Sequence, residues 1–260
     1  MNWENYLYPE NEKPLDRLVD GYSHTSVFRT IGFIGDSLAS GEFERYESDG
    51  NRRGYDIFDY AWGNYIARKN GLKAYTFSKG GMTAKAYMES FAEEMGYWDK
   101  EKACQAYVIA LGVNDIYNMG GAIGSIADVD FTDYRNNKDS FLGHYAAIVS
   151  RYKEISPDAK FFFVTFPNTA TPQRDDKTFA MIEGLYALAE GFENAYVIDL
   201  YRYGPVYDKR FEEKFFLYGH LNASGYLFTA QLVDSYIDYI VRHNPKDFES
   251  IGFVGANLAK

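Results

Sequence analysis

Among 260 residues there is a single cysteine, Cys104, so no intramolecular disulfide can form. Cys104 stands beside the apolar run Ala106-Tyr107-Val108-Ile109. That is the setting of a buried, inert thiol, because reactive cysteines need an accessible, electropositive surrounding. One cysteine also agrees with a reducing compartment. No run of about 18 apolar residues exists, so no membrane span is expected. The opening residues, Met1-Asn2-Trp3-Glu4-Asn5-Tyr6, lack the basic and apolar regions of a secretory signal, and the expected location is the cytoplasm. Positive charge is in short supply: 27 Lys and Arg stand against 37 Asp and Glu, a net charge of −10. A chain this acidic repels phosphate backbones and anionic lipid heads, so neither nucleic acid nor membrane is an expected partner. There is no cysteine pair, no His-x-x-x-His face and no Glu-x-x-His pair, so neither a metal nor a cofactor is called for. No low-complexity stretch or internal repeat marks a linker. One domain over residues 1–260 is expected, with 1–29 an N-terminal arm and 244–260 a C-terminal extension packed on it.

What is present is a 46% hydrophobic chain, enough for a sizeable core. Aromatics reach 18%, with 24 Tyr and 20 Phe. Most belong to strands and apolar helix faces, while surface tyrosines can stack on sugar rings. Short apolar runs alternate with longer amphipathic segments. Strands are predicted at Thr30–Gly35, Leu72–Phe77, Ala106–Leu111, Lys160–Phe166 and Ala195–Leu200. Helices are predicted at Asp56–Lys69, from about Thr83, at Asp139–Ile155, at Asp175–Phe192, and from an Asn222 cap to about His243. This alternation predicts an α/β fold with a parallel sheet and helices on both faces. Two stretches break the pattern, Tyr117–Lys138 and Tyr201–Phe216. Both follow strands and read as long loops or small insertions at the carboxyl edge, where open α/β sheets hold ligands. Gly120-Gly121-Ala122-Ile123-Gly124 lacks the Lys-Ser/Thr ending of a P-loop and reads as a rim. Asp247–Lys260, with Phe248, Ile251, Phe253 and Val254, could pack on the domain or on another subunit; the oligomeric state is open.

Four short blocks fall at strand ends. Gly35-Asp36-Ser37-Leu38 follows the first strand, where a serine oxygen can face the crevice, although Ser after such a turn is also a common helix cap. Gly80-Gly81-Met82-Thr83 follows the second strand, and glycine lets backbone approach a ligand closely. Gly112-Val113-Asn114-Asp115 follows the third strand, where an asparagine amide can aim at the same crevice or brace its own turn. Gly219-His220-Leu221-Asn222 precedes the last helix. His24, His144 and His243 have no comparable setting, and Asp36 and Asp115 read as loop braces.

Taken in order, Ser, Gly, Asn and His at these positions resemble the block pattern of the SGNH (GDSL-type) hydrolases, over Ile31 to about Ile240. The resemblance implies a three-layer α/β/α, flavodoxin-like fold with a central, mostly parallel five-stranded sheet. It implies Ser37 as nucleophile and His220 as general base. It implies an oxyanion hole from the N–H groups of Ser37 and Gly81 and the side-chain amide of Asn114. The reaction implied is hydrolysis of a carboxylic ester through an acyl-enzyme, with a small molecule or the acetyl group of a decorated carbohydrate as substrate.

One position departs from the pattern. The family usually carries an aspartate three residues before the histidine, and here that position is Leu217. In a serine triad the acid fixes the imidazole tautomer. Three explanations compete: a backbone carbonyl such as that of Leu217 serves a Ser-His dyad, a displaced carboxylate serves instead, with Asp199 and Asp208 as candidates, or the chain is a catalytically silent binding protein on the same scaffold. A nucleotide-binding protein fits poorly, because the first strand ends in Gly-Asp-Ser rather than a glycine fingerprint.

Overall fold

The computed structural model describes residues 3–170 and 175–251. Among the described residues nine strands run in chain order: β1 (Thr30–Gly35), β2 (Glu42–Tyr46), β3 (Arg52–Asp56), β4 (Lys73–Ser78), β5 (Ala106–Ala110), β6 (Lys160–Val164), β7 (Ala195–Ile198), β8 (Phe216–Leu217) and β9 (His220–Leu221). The longer helices are α1 (Trp62–Asn70), α2 (Phe141–Ile155), α3 (Asp175–Gly191), α4 (Lys209–Phe215) and α5 (Ala223–His243). Five strands form the central sheet in the order β4-β1-β5-β6-β7. Every pairing in it is parallel. The expectation of a mostly parallel sheet thus becomes an all-parallel one.

Parallel strands covered on both faces read as continuous apolar runs, and Lys160-Phe161-Phe162-Phe163-Val164 is buried throughout. The period of two divides these residues between two cores. Phe161 and Phe163 join Tyr107, Ile109, Tyr145 of α2 and Leu185 of α3 on one face. Phe162 and Val164 join Val108, Phe33, Trp62 of α1 and Val233 and Ile237 of α5 on the other. Each fully buried side chain of this kind contributes about 1.5–3 kcal/mol relative to exposure. Cys104 lies in the first core, and burial pushes its thiol far up, away from the reactive thiolate.

Helix ends follow local chemistry. Ser140 caps α2 by accepting the Gly143 N–H, and Asn222 caps α5 by accepting the Gly225 N–H. Gly71 closes α1 in the left-handed conformation at φ 63°.

Three parts differ from the sequence reading. The helix expected from Asp56 begins at Trp62: Asp56 itself ends an antiparallel hairpin of β2 and β3, and Phe58–Tyr60 form a short 3-10 turn before the helix. That hairpin is largely exposed, so it lacks the buried run that marks the other strands. The helix from Thr83 passes through a wider turn at Tyr87–Phe91. The stretch Tyr201–Phe216, read as a long loop or a small insertion, carries the unpredicted helix α4. Phe248 and Ile251 are buried against the domain, whereas Phe253 and Val254 lie outside the described residues. Among the described residues no helix is long and apolar enough to cross a membrane.

Candidate active site

The sheet order sets the first three blocks side by side. β1 is flanked by β4 and β5, so the turns after these strands share one carboxyl edge, with Ser37 between Gly81 and Asn114. Gly35 makes the turn into Ser37 possible: a Cβ there would lie 2.4 Å from that of Ala39. Asp36 caps the one-turn helix Ser37–Ser40 by accepting the Leu38 N–H at 3.1 Å. Ser37 is the first residue of this turn, where helical N–H groups have no intrahelical partner. Its N–H and that of Gly81 find no backbone acceptor among the described residues. Gly81 sits at φ 75°, with open space where a Cβ would point. The Asn114 amide is buried and fixed: it donates to the Met82 carbonyl at 3.0 Å and accepts from Asn118. One of its two N–H bonds is thereby used. Asp115 accepts the Ala84 N–H at 2.9 Å, which makes it the brace of the Gly81 loop.

His220 arrives from the far end of the chain. β8 and β9 form a small hairpin in which Leu217 pairs with His220. Tyr218, in the turn between them, takes φ 60°, a conformation that costs a non-glycine residue about 1–3 kcal/mol and tends to occur at functional sites. β9 packs against both the Ser37–Ser40 turn and β2. Through that second contact the hairpin missed in the sequence brings two carboxylates to the imidazole. Glu44 Oε1 lies 3.3 Å from Nδ1, and Glu42 Oε1 lies 3.7 Å from Nε2. The Nδ1 approach is off the line of a well-formed hydrogen bond, and Nδ1 has no other partner. The other Glu44 oxygen, Oε2, accepts the Gly219 N–H at 2.7 Å, and Arg52 Nε lies 3.5 Å from Oε1. The Tyr226 hydroxyl of α5 donates to the Glu42 carbonyl at 2.6 Å. Burial raises the Glu42 carboxyl; the charge of His220 opposes this, while Asp56 and Glu44 add to it. Asp56 accepts the Gly80 N–H at 3.3 Å and the Ser40 hydroxyl, so it ties the β2–β3 hairpin to the Gly80-Gly81 block and to the one-turn helix that begins at Ser37.

The family model of GDSL-like lipases and acylhydrolases matches residues 33–227. The chain belongs to the GDSL-like lipase/acylhydrolase family. No curated protein matches its sequence. Among solved structures, a family two carbohydrate esterase from Clostridium thermocellum in complex with cellohexaose is 16% identical, with 89% of this chain and 67% of that one covered and a TM-score of 0.57. A family 2 carbohydrate esterase with a carbohydrate-binding domain from Corynascus thermopiles is 16% identical, covering 82% and 66%, with a TM-score of 0.54. A family 3 carbohydrate esterase from Talaromyces cellulolyticus is 11% identical, covering 82% and 98%, with a TM-score of 0.53. At such identities these likenesses speak for the fold.

In this GDSL-like hydrolase the acids named from the sequence are occupied elsewhere. Asp199 is fully buried and accepts the Tyr186 hydroxyl and the Arg202 N–H, both at 2.9 Å. Asp208 caps α4 by accepting the Phe211 N–H at 2.9 Å. Nor does the Leu217 carbonyl take Nδ1. The carboxylates beside the imidazole are Glu42 and Glu44, which the sequence reading did not name. Their signal was present: an Asp49-Gly50 turn between two short polar segments marks a hairpin, and residues two apart on a strand share a face. The donor atoms of Glu42, Glu44 and His220 all lie within 4.8 Å of one another, a grouping the sequence reading also lacked. An apolar cavity of about 80 Å³ adjoins the site, lined by Leu38 next to the serine, Leu221 next to the histidine, and Val113, Phe166, Pro167 and Tyr207. A larger hollow of about 530 Å³ lies apart from these residues, between Lys69 of α1 and Asp234 of α5.

Proposed function

We propose that this hydrolase cleaves a carboxylic ester through an acyl-enzyme at Ser37. The Ser37 oxygen attacks the ester carbonyl carbon while His220 takes its proton. His220 then returns that proton to the departing alcohol, and water repeats the sequence on the acyl-enzyme to release the acid. The Ser37 and Gly81 N–H groups and the Asn114 amide receive the oxyanion, where a lost donor costs about 10²–10³ in rate. The adjacency of β4, β1 and β5 carries this reading, since it supports three donors around one serine. The cavity of about 80 Å³ suits a short acyl group, given that a cavity of roughly 150 Å³ holds benzene.

An acetylated carbohydrate is the substrate class we favour. Tyr46 and Tyr218 stand edge to face at 5.1 Å, both exposed, on the two hairpins that flank His220. Such rings offer a sugar an apolar surface, and the solved relatives include carbohydrate esterases.

Hydrolysis of p-nitrophenyl acetate by the parent, Ser37→Ala and His220→Ala tests the chemistry. The parent turns over and both variants fall to background. Acetate release from acetylated cello-oligosaccharides tests the substrate class, and no release from any acetylated sugar overturns it. Leu217, in place of the usual acid, supports a second reading as a silent binding protein. In that case a fluorophosphonate leaves Ser37 unlabelled.

A further inference from the structure

A histidine that takes a proton at Nε2 needs an acceptor at Nδ1, both to hold the tautomer and to stabilise the cation that forms. Position 217 offers no carboxylate, and the carboxylates of Asp199 and Asp208 are already bonded. We infer that Glu44, delivered by the β2–β3 hairpin, is the positioning residue that holds His220 Nδ1–H, in place of an acid three residues before the histidine. The inference rests on the esterase reading above.

Four observations carry it. Glu44 Oε1 faces Nδ1 at 3.3 Å, and its side chain is only 10% exposed. Its second oxygen is pinned by the Gly219 N–H at 2.7 Å, so the carboxylate is bonded to the residue that directly precedes the ring it serves. Arg52, paired with Tyr46 on the opposite strand, approaches the same carboxylate at 3.5 Å. The hairpin itself is held against α5 by the Tyr226 hydroxyl. The alignment at Nδ1 is loose, as catalytic hydrogen bonds often are before substrate tightens them.

The same three side chains offer a metal ion less. An imidazole gives a metal the lone pair of one ring nitrogen, whereas Glu42 and Glu44 face different ring nitrogens, at 3.7 and 3.3 Å. That arrangement suits the imidazolium that forms only once Nε2 has taken the serine proton.

The test uses the full chain with Glu44→Gln, which keeps an oxygen for the Gly219 N–H, and Glu44→Asp, which keeps the charge. In proton NMR the parent shows a downfield imidazole N–H resonance, assigned to His220 by its loss in His220→Ala. Glu44→Gln removes or shifts that resonance. With p-nitrophenyl acetate, kcat of Glu44→Gln falls on the order of 10²–10⁴-fold, the upper bound being the cost of the amide replacement in serine proteases. KM stays within about twofold, the pattern of an interaction made in the transition state. Glu44→Asp keeps more activity than Glu44→Gln. An unchanged resonance and unchanged kcat in Glu44→Gln overturn the inference. Loss of parent activity on dialysis against EDTA, restored by zinc, also overturns it and makes the trio a metal site. An inert parent whose resonance still responds to Glu44→Gln keeps the pair and removes the esterase reading; an active parent indifferent to Glu44→Gln does the reverse.

Discussion

Asp36 stands beside Ser37, the nucleophile we propose, and is buried, and burial pushes its carboxyl up to about 7, with the charges of Asp115 and Glu42 adding to the shift and the Leu38 N–H opposing it. Asp115 is pushed up to about 6, also by burial, against the Ala84 N–H that it accepts. A carboxyl raised in the folded state favours the protonated form there, so stability falls as pH rises from the ordinary Asp range near 4 toward about 7. Asp36→Asn keeps an acceptor for the Leu38 N–H and removes the charge. It therefore raises Tm relative to the parent, more at pH 8 than at pH 5, and thermal melts at the two pH values check the sign. The role of Asp36 as a brace was readable in the Gly-Asp-Ser turn, because capping is local chemistry. Its burial was not, because the elements that cover it come from distant parts of the chain.

Elements with a buried face were the legible ones. The five strands of the sheet lie where their apolar runs predict, within a residue or two at each end. The β2–β3 hairpin was missed because no residue of either strand is fully buried and so no apolar run marks it, and what it does depends on where it docks rather than on its own pattern. One anchor is the bond from Tyr226 of α5 to the Glu42 carbonyl. Tyr226→Phe leaves that carbonyl unpaired, which costs about 1–3 kcal/mol. Urea unfolding of the variant shows a loss of that size, and the esterase kcat falls with it because the carboxylates beside His220 lose their support. Full stability and full kcat in this variant would mean that the hairpin is held by other contacts.

Across the whole molecule, the N-terminal segment is bound to the last helix by buried ions. Arg242 reaches Glu12 with two nitrogens, at 2.7 and 2.9 Å, and Asp238 with Nε at 2.7 Å. His24 lies against Asp238 at 2.8 Å, and His243 against Glu12 at 2.9 Å. Burial raises both carboxyls. For Asp238 the bonds from His24 and Arg242 outweigh it, and for Glu12 those from Arg242 and His243 do, so both are held low. Carboxyls lowered in the folded state add stability above their ordinary pKa and lose it as pH falls through that range. Arg242→Met leaves two buried carboxylates without their partner, a change worth about 3–5 kcal/mol. Chemical denaturation at pH 7 shows that loss, and the gap to the parent narrows as pH drops below about 4.

By itself the sequence determined the layered α/β architecture and the order of the four blocks, because burial periodicity, caps and turns are written in neighbouring residues. That Ser37, Gly81 and Asn114 lie at one sheet edge was readable once their strands were recognised, since a parallel sheet carries the turns after its strands to one edge. Only the tertiary structure decided what stands beside His220. Glu44 is 176 residues away along the chain, on an exposed hairpin with no buried pattern of its own, and is tied to the turn before His220 by one backbone bond. A contact of that kind is set by how two surface hairpins dock on the same helix and sheet edge, and local sequence carries no record of it.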